Sequence, residues 1–423
     1  MPAPDATESP LLKRVAWRLM PLLAVMFLVS FIDRQNVGFA KLDMVKSLRL
    51  SEQAYGLGAS LFFIGYLIFE IPSTLALHRY GARTWLARIM LSWGLVTIAL
   101  GFTRNLPMFY ALRFILGVAE AGFYPGVVYF LTLWFPRGYR TKMLGYFTLG
   151  SAVANLLGAF LGGLLLDLNG VWGLAGWQWV FIATGLPAVL LTWAALSWLP
   201  RSPREANFLT AAEKLQLESL VQREIAPGAT RGHPLAALWD PRVWFFAGTY
   251  MFMSTSLYGV TYWLPTLVKG FGVTSTVNGL LNTIPWGVAV LLLLWLPGKL
   301  TSDRIVFRAM AAISVVGLVC FGSSALLGSN ATRFTALALG GACIPLLYPC
   351  FWSLPPRFFL GARAAASIAA INSIGNLGGF AAQNLMPWVG RATHNVVTPM
   401  LIPAACLAIL GAGAAVAARR QPA

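Results

Sequence analysis

A few charged side chains stand where the surrounding sequence is otherwise oil. Asp33 and Arg34 lie in SFIDRQNVGFA, at the far end of an apolar run that begins near Trp17; Arg113 and Glu120 lie in LRFILGVAEAGFYPG, and Glu70 stands just before Pro72. An ionised side chain at the centre of a membrane helix costs about 2.5–3.5 kcal/mol on insertion scales, so few are carried without use. Low dielectric favours the protonated form of a carboxylate, whereas a neighbouring arginine favours the ionised one. An acid and an arginine held together there make a proton-operated anion site. Protonating Glu120 or Asp33 frees Arg34 or Arg113 to hold an anionic substrate, and the proton can leave when the substrate leaves. The competing duty is structural, an ion-pair network that fastens the first and fourth helices together.

Depth follows from a helical rise of about 1.5 Å per residue. Asp33 falls about 7 Å inside the outer end of the first helix, and Arg113 about 7 Å inside that of the fourth. Glu120 follows Arg113 by two turns, which puts both on one side with the acid about 10 Å deeper. An inward-facing column of Asp33, Arg113 and Glu120 is expected. Asp33 and Arg34 point roughly 100° apart and cannot serve the same partner. Glu70 lies toward the cytoplasmic end of the second helix, where pairing with the arginines of the adjacent loop is expected.

The elements that must position these residues follow from composition. Of 423 residues 58% are hydrophobic and 11% charged, with mean hydropathy +0.70, far from the half-apolar, quarter-charged profile of a soluble domain. Stretches of about 20 apolar residues cross a hydrocarbon core as helices. About twelve occur: 17–38, 54–76, 84–102, 108–133, 141–165, 177–199, 243–267, 277–298, 306–327, 331–352, 360–385 and 395–418. They are long continuous runs without strict alternation, hence helices and not barrel strands. The fold class is an all-α membrane protein. Lys13 and Arg14 could open a cleaved signal peptide, but no small-residue cleavage site follows the first run.

A net charge of +17 could suggest nucleic acid, yet its distribution suggests orientation. With both termini placed inside, the inner loops hold 22 lysines and arginines against 7 in the outer loops. The positive-inside rule therefore puts both termini in the cytoplasm, with no nucleic-acid partner. Cys320, Cys343, Cys350 and Cys406 fall inside predicted helices without metal-ligand spacing and read as packing residues.

Between the sixth and seventh spans a polar stretch holds five of the fourteen acidic residues. It divides the chain into a six-helix bundle at 1–200, a cytoplasmic linker at 201–241 and a second bundle at 242–423. The linker carries a short helix from about Thr210 to Glu224, capped by Thr210 with Glu213 completing a capping box. The halves echo each other. Pro72 and Pro297 are 225 residues apart, as are Arg79 and Arg304, and Tyr124-Pro125 recurs as Tyr348-Pro349 at 224. Asn155 with Gly158 recurs near Asn376 with Gly379. Duplicated bundles with a mid-membrane substrate site between them are the architecture of many secondary transporters.

At these residues the chain resembles the major facilitator superfamily, and within it the anion:cation symporter family of organic-anion carriers. The resemblance rests on IDRQNVGFA, EIPSTLALHRYGARTWLARIM, LRFILGVAEAGFYPG, WFPRGYR and INSIGNLGGF. It implies two pseudo-symmetric six-helix bundles in a bacterial inner membrane, with proton-coupled uptake of a small organic carboxylate by a monomer. The substrate would be a hydroxy, dicarboxylic or aromatic acid. Asp33 and Glu120 would couple protons and Arg34 or Arg113 would bind the anion, while Glu70, Arg79, Arg83, Asp303 and Arg304 would serve gating and structure. The superfamily's loop has an aspartate before the arginine; here His78 precedes Arg79, whereas Ser302-Asp303-Arg304 keeps the acidic form.

Neutral contacts are drawn from Tyr258, Tyr262, Asn282, Trp352, Asn372 and Asn376 in the second half and from Tyr66 and Tyr124 in the first; Asn372 leads, with Trp352 next. The glycines of GSAVANLLGAFLGG and IGNLGGF are expected to permit close helix packing. Proton-driven export would favour a Gly-Pro motif in the fifth span, which is lacking. A phosphate-ester exchanger would place arginines from both halves at the site, and a passive sugar facilitator would not require Asp33 and Glu120. No nucleophile, metal cluster or phosphate loop points to an enzyme, a metal or a cofactor. A transporter-like nutrient receptor and an anion exchanger without protons are the remaining alternatives.

Overall fold

The computed structural model describes residues 10–222, 239–296, 299–300, 302–359 and 362–420. Pro297 of the repeat and linker residues 223–238 lie outside the described residues. Within them the chain is helical and contains no strand. The helices are α1 (Pro10–Ser47), α2 (Glu52–Tyr80), α3 (Ala82–Leu100), α4 (Leu106–Glu120), α5 (Phe123–Trp134), α6 (Arg137–Leu166), α7 (Gly176–Trp198) and α8 (Ala211–Gln222). After the linker come α9 (Pro241–Lys269), α10 (Ser275–Trp295), α11 (Asp303–Ser324), α12 (Asn330–Trp352), α13 (Pro355–Phe358), α14 (Ala362–Gly375), α15 (Leu377–Thr393) and α16 (Leu401–Arg420).

Among the described residues, eight helical stretches are long and apolar enough to cross a membrane: α1, α2, α4 with α5, α7, α10, α11, α12 and 398–420. The other four expected crossings are also helical, in α3, α6, α9 and α14 with α15; within α6, Gly150–Leu166 is a shorter apolar helix. In α9 and α15 the polar residues Ser254, Thr255, Ser256 and Gln383 are all buried against protein. Capping fixes several starts. Ser51, Asn105, Thr274, Ser302 and Ser329 each accept a backbone N–H from the first turn that follows. In the linker, the Thr210 hydroxyl accepts from Glu213 N–H and the Glu213 carboxylate accepts from Thr210 N–H, the expected capping box.

One expected continuous helix is broken. The span predicted at 108–133 stops at Glu120, passes through extended Ala121 and left-handed Gly122 (φ 85°), and restarts as α5. Glycine is suited to that conformation, and a Cβ there would also strike the Ser73 side chain. The Ser73 hydroxyl donates to the freed carbonyl of Ala121 at 2.6 Å. Glu120 is therefore the last residue of a helix rather than a mid-helix group, and Tyr124 belongs to the next helix instead of the next turn.

The helices before and after the linker meet along three lines. Central α1 and α9 run parallel, with Arg34 beside Tyr258 and Lys41 beside Thr266. On one flank α2 runs antiparallel to α15 and α14: Gly56 lies against Gln383, Ser60 accepts from Asn384 at 2.9 Å, Phe63 covers Gly379, and Glu70 meets Ser373. On the other flank α6 and α10 cross so closely that a Cβ on Gly163 would lie 2.6 Å from the Gly279 Cα. Small residues permit that approach, as expected for the GAFLGG run.

Candidate functional site

α1 is buried on every side over Gln35–Lys41, so polar groups in this stretch must find partners on neighbouring helices. Arg34 reaches α4, donating to Glu120 Oε1 from Nη2 at 2.6 Å and from Nε at 2.7 Å. Its Nη1 donates to the Tyr258 hydroxyl of α9 at 3.2 Å. Rings of Phe31, Phe62 and Tyr66 lie 5.4, 5.6 and 5.3 Å from the guanidinium carbon, a cage of three aromatic faces. Both contacts to Glu120 fall on one oxygen. Oε2 is buried with no hydrogen-bond partner, while the arginine keeps 15% of its side chain exposed.

Asp33 turns to the other side of α1. Its Oδ1 accepts from Asn36 at 2.9 Å and its Oδ2 from Thr97 of α3 at 3.2 Å; Asn36 also donates to Thr184 of α7 at 3.1 Å. Arg113 takes neither acid. Its Nη2 and Nε donate to the Ala59 carbonyl of α2 at 2.8 and 3.3 Å, and its guanidinium carbon lies 5.2 Å from the Phe62 ring. The expected column of Asp33, Arg113 and Glu120 is thus corrected. Arg34 is the partner of Glu120, because the rotation of α1 turns that side chain toward α4 and leaves Arg113 beside a backbone carbonyl with a spare lone pair. Asp33, Arg34 and Arg113 still share one small cavity, closed by Phe62, Phe63, Leu116, Tyr258 and Gln383.

Of the other candidates, Tyr66 is buried beneath Arg34. Tyr124, on α5, packs its ring 6.1 Å from Phe27, and Trp352 packs 5.1 Å from Tyr250; neither lines that cavity. Asn372 lies against Glu70 rather than Arg34. Glu70 itself is corrected: no ion pair to a loop arginine forms among the described residues, and its Oε2 accepts from Ser373 of α14. Arg79 lies over the Tyr80 ring and Arg83 donates to the Leu196 carbonyl, so both loop arginines are directed elsewhere. Asp303 and Arg304 sit in the first turn of α11, which Ser302 caps.

Lys41 escaped the sequence reading, which counted it among outer-loop charges. It is buried in α1, paired with Glu52 Oε2 at 2.6 Å and donating to Thr266 at 3.1 Å, with its ammonium 3.9 Å from the Trp263 ring and 4.8 Å from that of Tyr262. Its distance in sequence from Thr266, 225 residues, is the repeat offset and was the one available signal. Asn36, three residues from Asp33, was legible as a same-face neighbour. Thr97 and Thr184 carried no signal.

Comparison with known proteins places this geometry in context. The chain is 43% identical over 378 residues to a quinolone resistance transporter of Acinetobacter baumannii, covering 88% of this chain and 87% of that one. It is 36% identical over 419 residues to a putative tartrate transporter of Agrobacterium vitis, covering 98% and 93%. The solved D-xylose-proton symporter shares the fold, with a TM-score of 0.74 at 15% identity over 94% of this chain and 97% of that one. The protein is a multi-pass membrane transport protein and not an enzyme. Residues 23–383 match the Major Facilitator Superfamily, and the chain belongs to that family.

Proposed function

We propose that the protein carries a small organic carboxylate together with protons, by alternating access, across the bacterial inner membrane with both termini cytoplasmic. The observation that carries this reading is the pair of Arg34 and Glu120, in which an arginine suited to a carboxylate substrate is already occupied by a carboxylate that can be neutralised. Breaking a buried ion pair by removing one partner costs about 3–5 kcal/mol, whereas exchanging one carboxylate for another keeps the arginine paired. A proton taken up on Glu120 Oε2, the oxygen without a partner, neutralises the acid and frees Arg34. The substrate carboxylate then takes the place of Oε1 against the guanidinium, and Tyr258 accepts from the remaining nitrogen. When substrate leaves, Arg34 draws Glu120 back to the ionised form. Asp33, bound to neutral donors only, is the second coupling acid, and Arg113 holds α2 to α4 beside the cavity.

The cage of Phe31, Phe62 and Tyr66 supports a substrate with an aromatic or compact body behind its carboxylate. The similarity to a protein named a tartrate transporter supports the anion class. Outward movement of an aromatic compound is a second reading, favoured by the 43% identity to a protein named a quinolone resistance transporter. The test is uptake of labelled tartrate and 4-hydroxyphenylacetate into proteoliposomes of known orientation under an imposed pH gradient. Glu120→Gln is expected to abolish accumulation while sparing exchange of internal for external label. Accumulation by the variant equal to that of the parent would reject the coupling role, and label moving only out of the vesicles would favour the second reading.

A further inference from the structure

A third buried carboxylate lies outside the site just described. Glu70 is 3% exposed and stands on α2 where that helix last meets α14, on the far side of the bundle interface from Lys41. Its Oε2 accepts from Ser373 and Asn372 lies beside it, both neutral and both from beyond the linker. Its Oε1 is buried without a hydrogen-bond partner. No lysine or arginine forms an ion pair with it among the described residues. The charged group that acts on it from a distance is Arg34 of α1, already committed to Glu120. From its own helix Tyr66 faces it, and α4 contributes Glu120, which shares Arg34 and Tyr66 with it.

We propose that Glu70 is a proton-binding site of its own, loaded when α2 closes on α14 and unloaded when they part. A carboxylate enclosed without a counter-charge is far better held as the neutral acid. In that form its O–H is a donor that Ser373 or the Asn372 carbonyl can accept, so the contact across the interface gains a hydrogen bond in place of an unpaired charge. Separation of the two helices admits water, which stabilises the ionised form, and the proton departs to solvent. Just beyond Glu70, Pro72 removes one rung of the backbone ladder, a place where α2 can bend. Opening can begin there. The proton is bound and released by a bundle contact, not by the substrate's counter-charge, so closure of this end draws on pH even when Arg34 is empty.

This inference rests on the transporter reading for its role in a cycle, but its test needs no substrate. Hydrogen–deuterium exchange of the full-length protein in nanodiscs, corrected for intrinsic rates, reads the opening of 367–376 against pH. With one proton linked, protection in the parent is expected to fall by up to about tenfold per pH unit as pH rises. Glu70→Gln is expected to be protected at every pH with no step, and Glu70→Met, uncharged and of similar volume, serves equally if the glutamine variant does not fold. Glu120→Gln is expected to keep the step. A parent without a step, or a step that survives both Glu70 substitutions, overturns the proposal, as does a step lost in Glu120→Gln. Failure of the parent to transport any carboxylate would reject the proposed function while leaving this step intact.

Discussion

The helices before the linker and those after it bring different chemistry to the same interface. Asp33, Arg34, Glu70, Arg113 and Glu120 all come from the first set, each with its polar head turned inward. The second set answers with hydroxyls and amides: Tyr258 to Arg34, Ser373 and Asn372 to Glu70, Thr266 to Lys41. Under the alternating access proposed above, a charge confined to one packed set keeps its partners, because Arg34, Glu120 and Asp33 all belong to that set. Neutral groups on the other set can be exchanged without stranding a buried charge. In the proposed carrier the anion and the face of its body both meet residues before the linker, Arg34 with Phe31, Phe62 and Tyr66, while the helices after the linker add neutral hydrogen-bonding groups such as Tyr258.

The largest effect that tests this division is expected from Arg34→Ala. It removes the counter-charge to the substrate's carboxylate, and truncating one partner of a buried, hydrogen-bonded charge pair costs about 2–5 kcal/mol, hence about thirtyfold or more in anion binding. Arg34→Lys keeps the charge but not the guanidinium fork, and should recover part of the loss. Tracer binding checks both; undiminished binding by the alanine variant would move charge recognition to another residue. A smaller change is expected from Tyr258→Phe, which deletes one hydrogen bond from the charged guanidinium, worth about 1.5–3 kcal/mol. Competition assays should show about ten- to a hundredfold weaker binding with the order of preferred acids altered and pH dependence retained; an altered pH profile would break the division.

The smallest effect lies at the membrane surface. Asp167 follows α6, and its Oδ2 accepts from the Thr276 N–H at 3.0 Å and the Thr276 hydroxyl at 2.5 Å at the start of α10. Burial pushes this carboxyl up, but the hydrogen bonds from Thr276 and Ser275 outweigh it and hold it below its ordinary value. A depressed folded value means that the clasp contributes fully above the unfolded value, near pH 3.8, and is lost as pH falls through the folded one. Asp167→Asn should remove this acid-side loss and lower the melting temperature slightly at neutral pH. A thermal melt across pH 3–7 identical to the parent's would show that the clasp carries no stability.

Much of this arrangement was legible along the chain. The 224-residue echo of Tyr124-Pro125 in Tyr348-Pro349 is the same interval that separates Arg34 from Tyr258, because equivalent helices of a duplicated bundle face each other at its axis. Helix spacing foretold that Asp33 and Arg34 would take different partners. It did not foretell the break at Ala121–Gly122, where a hydroxyl 48 residues away accommodates the freed carbonyl. Nor could spacing distinguish Arg34 from Arg113 as the partner of Glu120, since it orders residues on one helix and says nothing of how two helices are rotated.

Hydropathy and periodicity are properties of neighbouring residues, so the sequence by itself determined a helical membrane protein with its buried charges in one half. Pairing is a property of distance through space. Only the packed structure decided that Arg34 meets Glu120 across 86 residues and that Glu70 meets Ser373 across 303, because each depends on which faces of remote helices are pressed together.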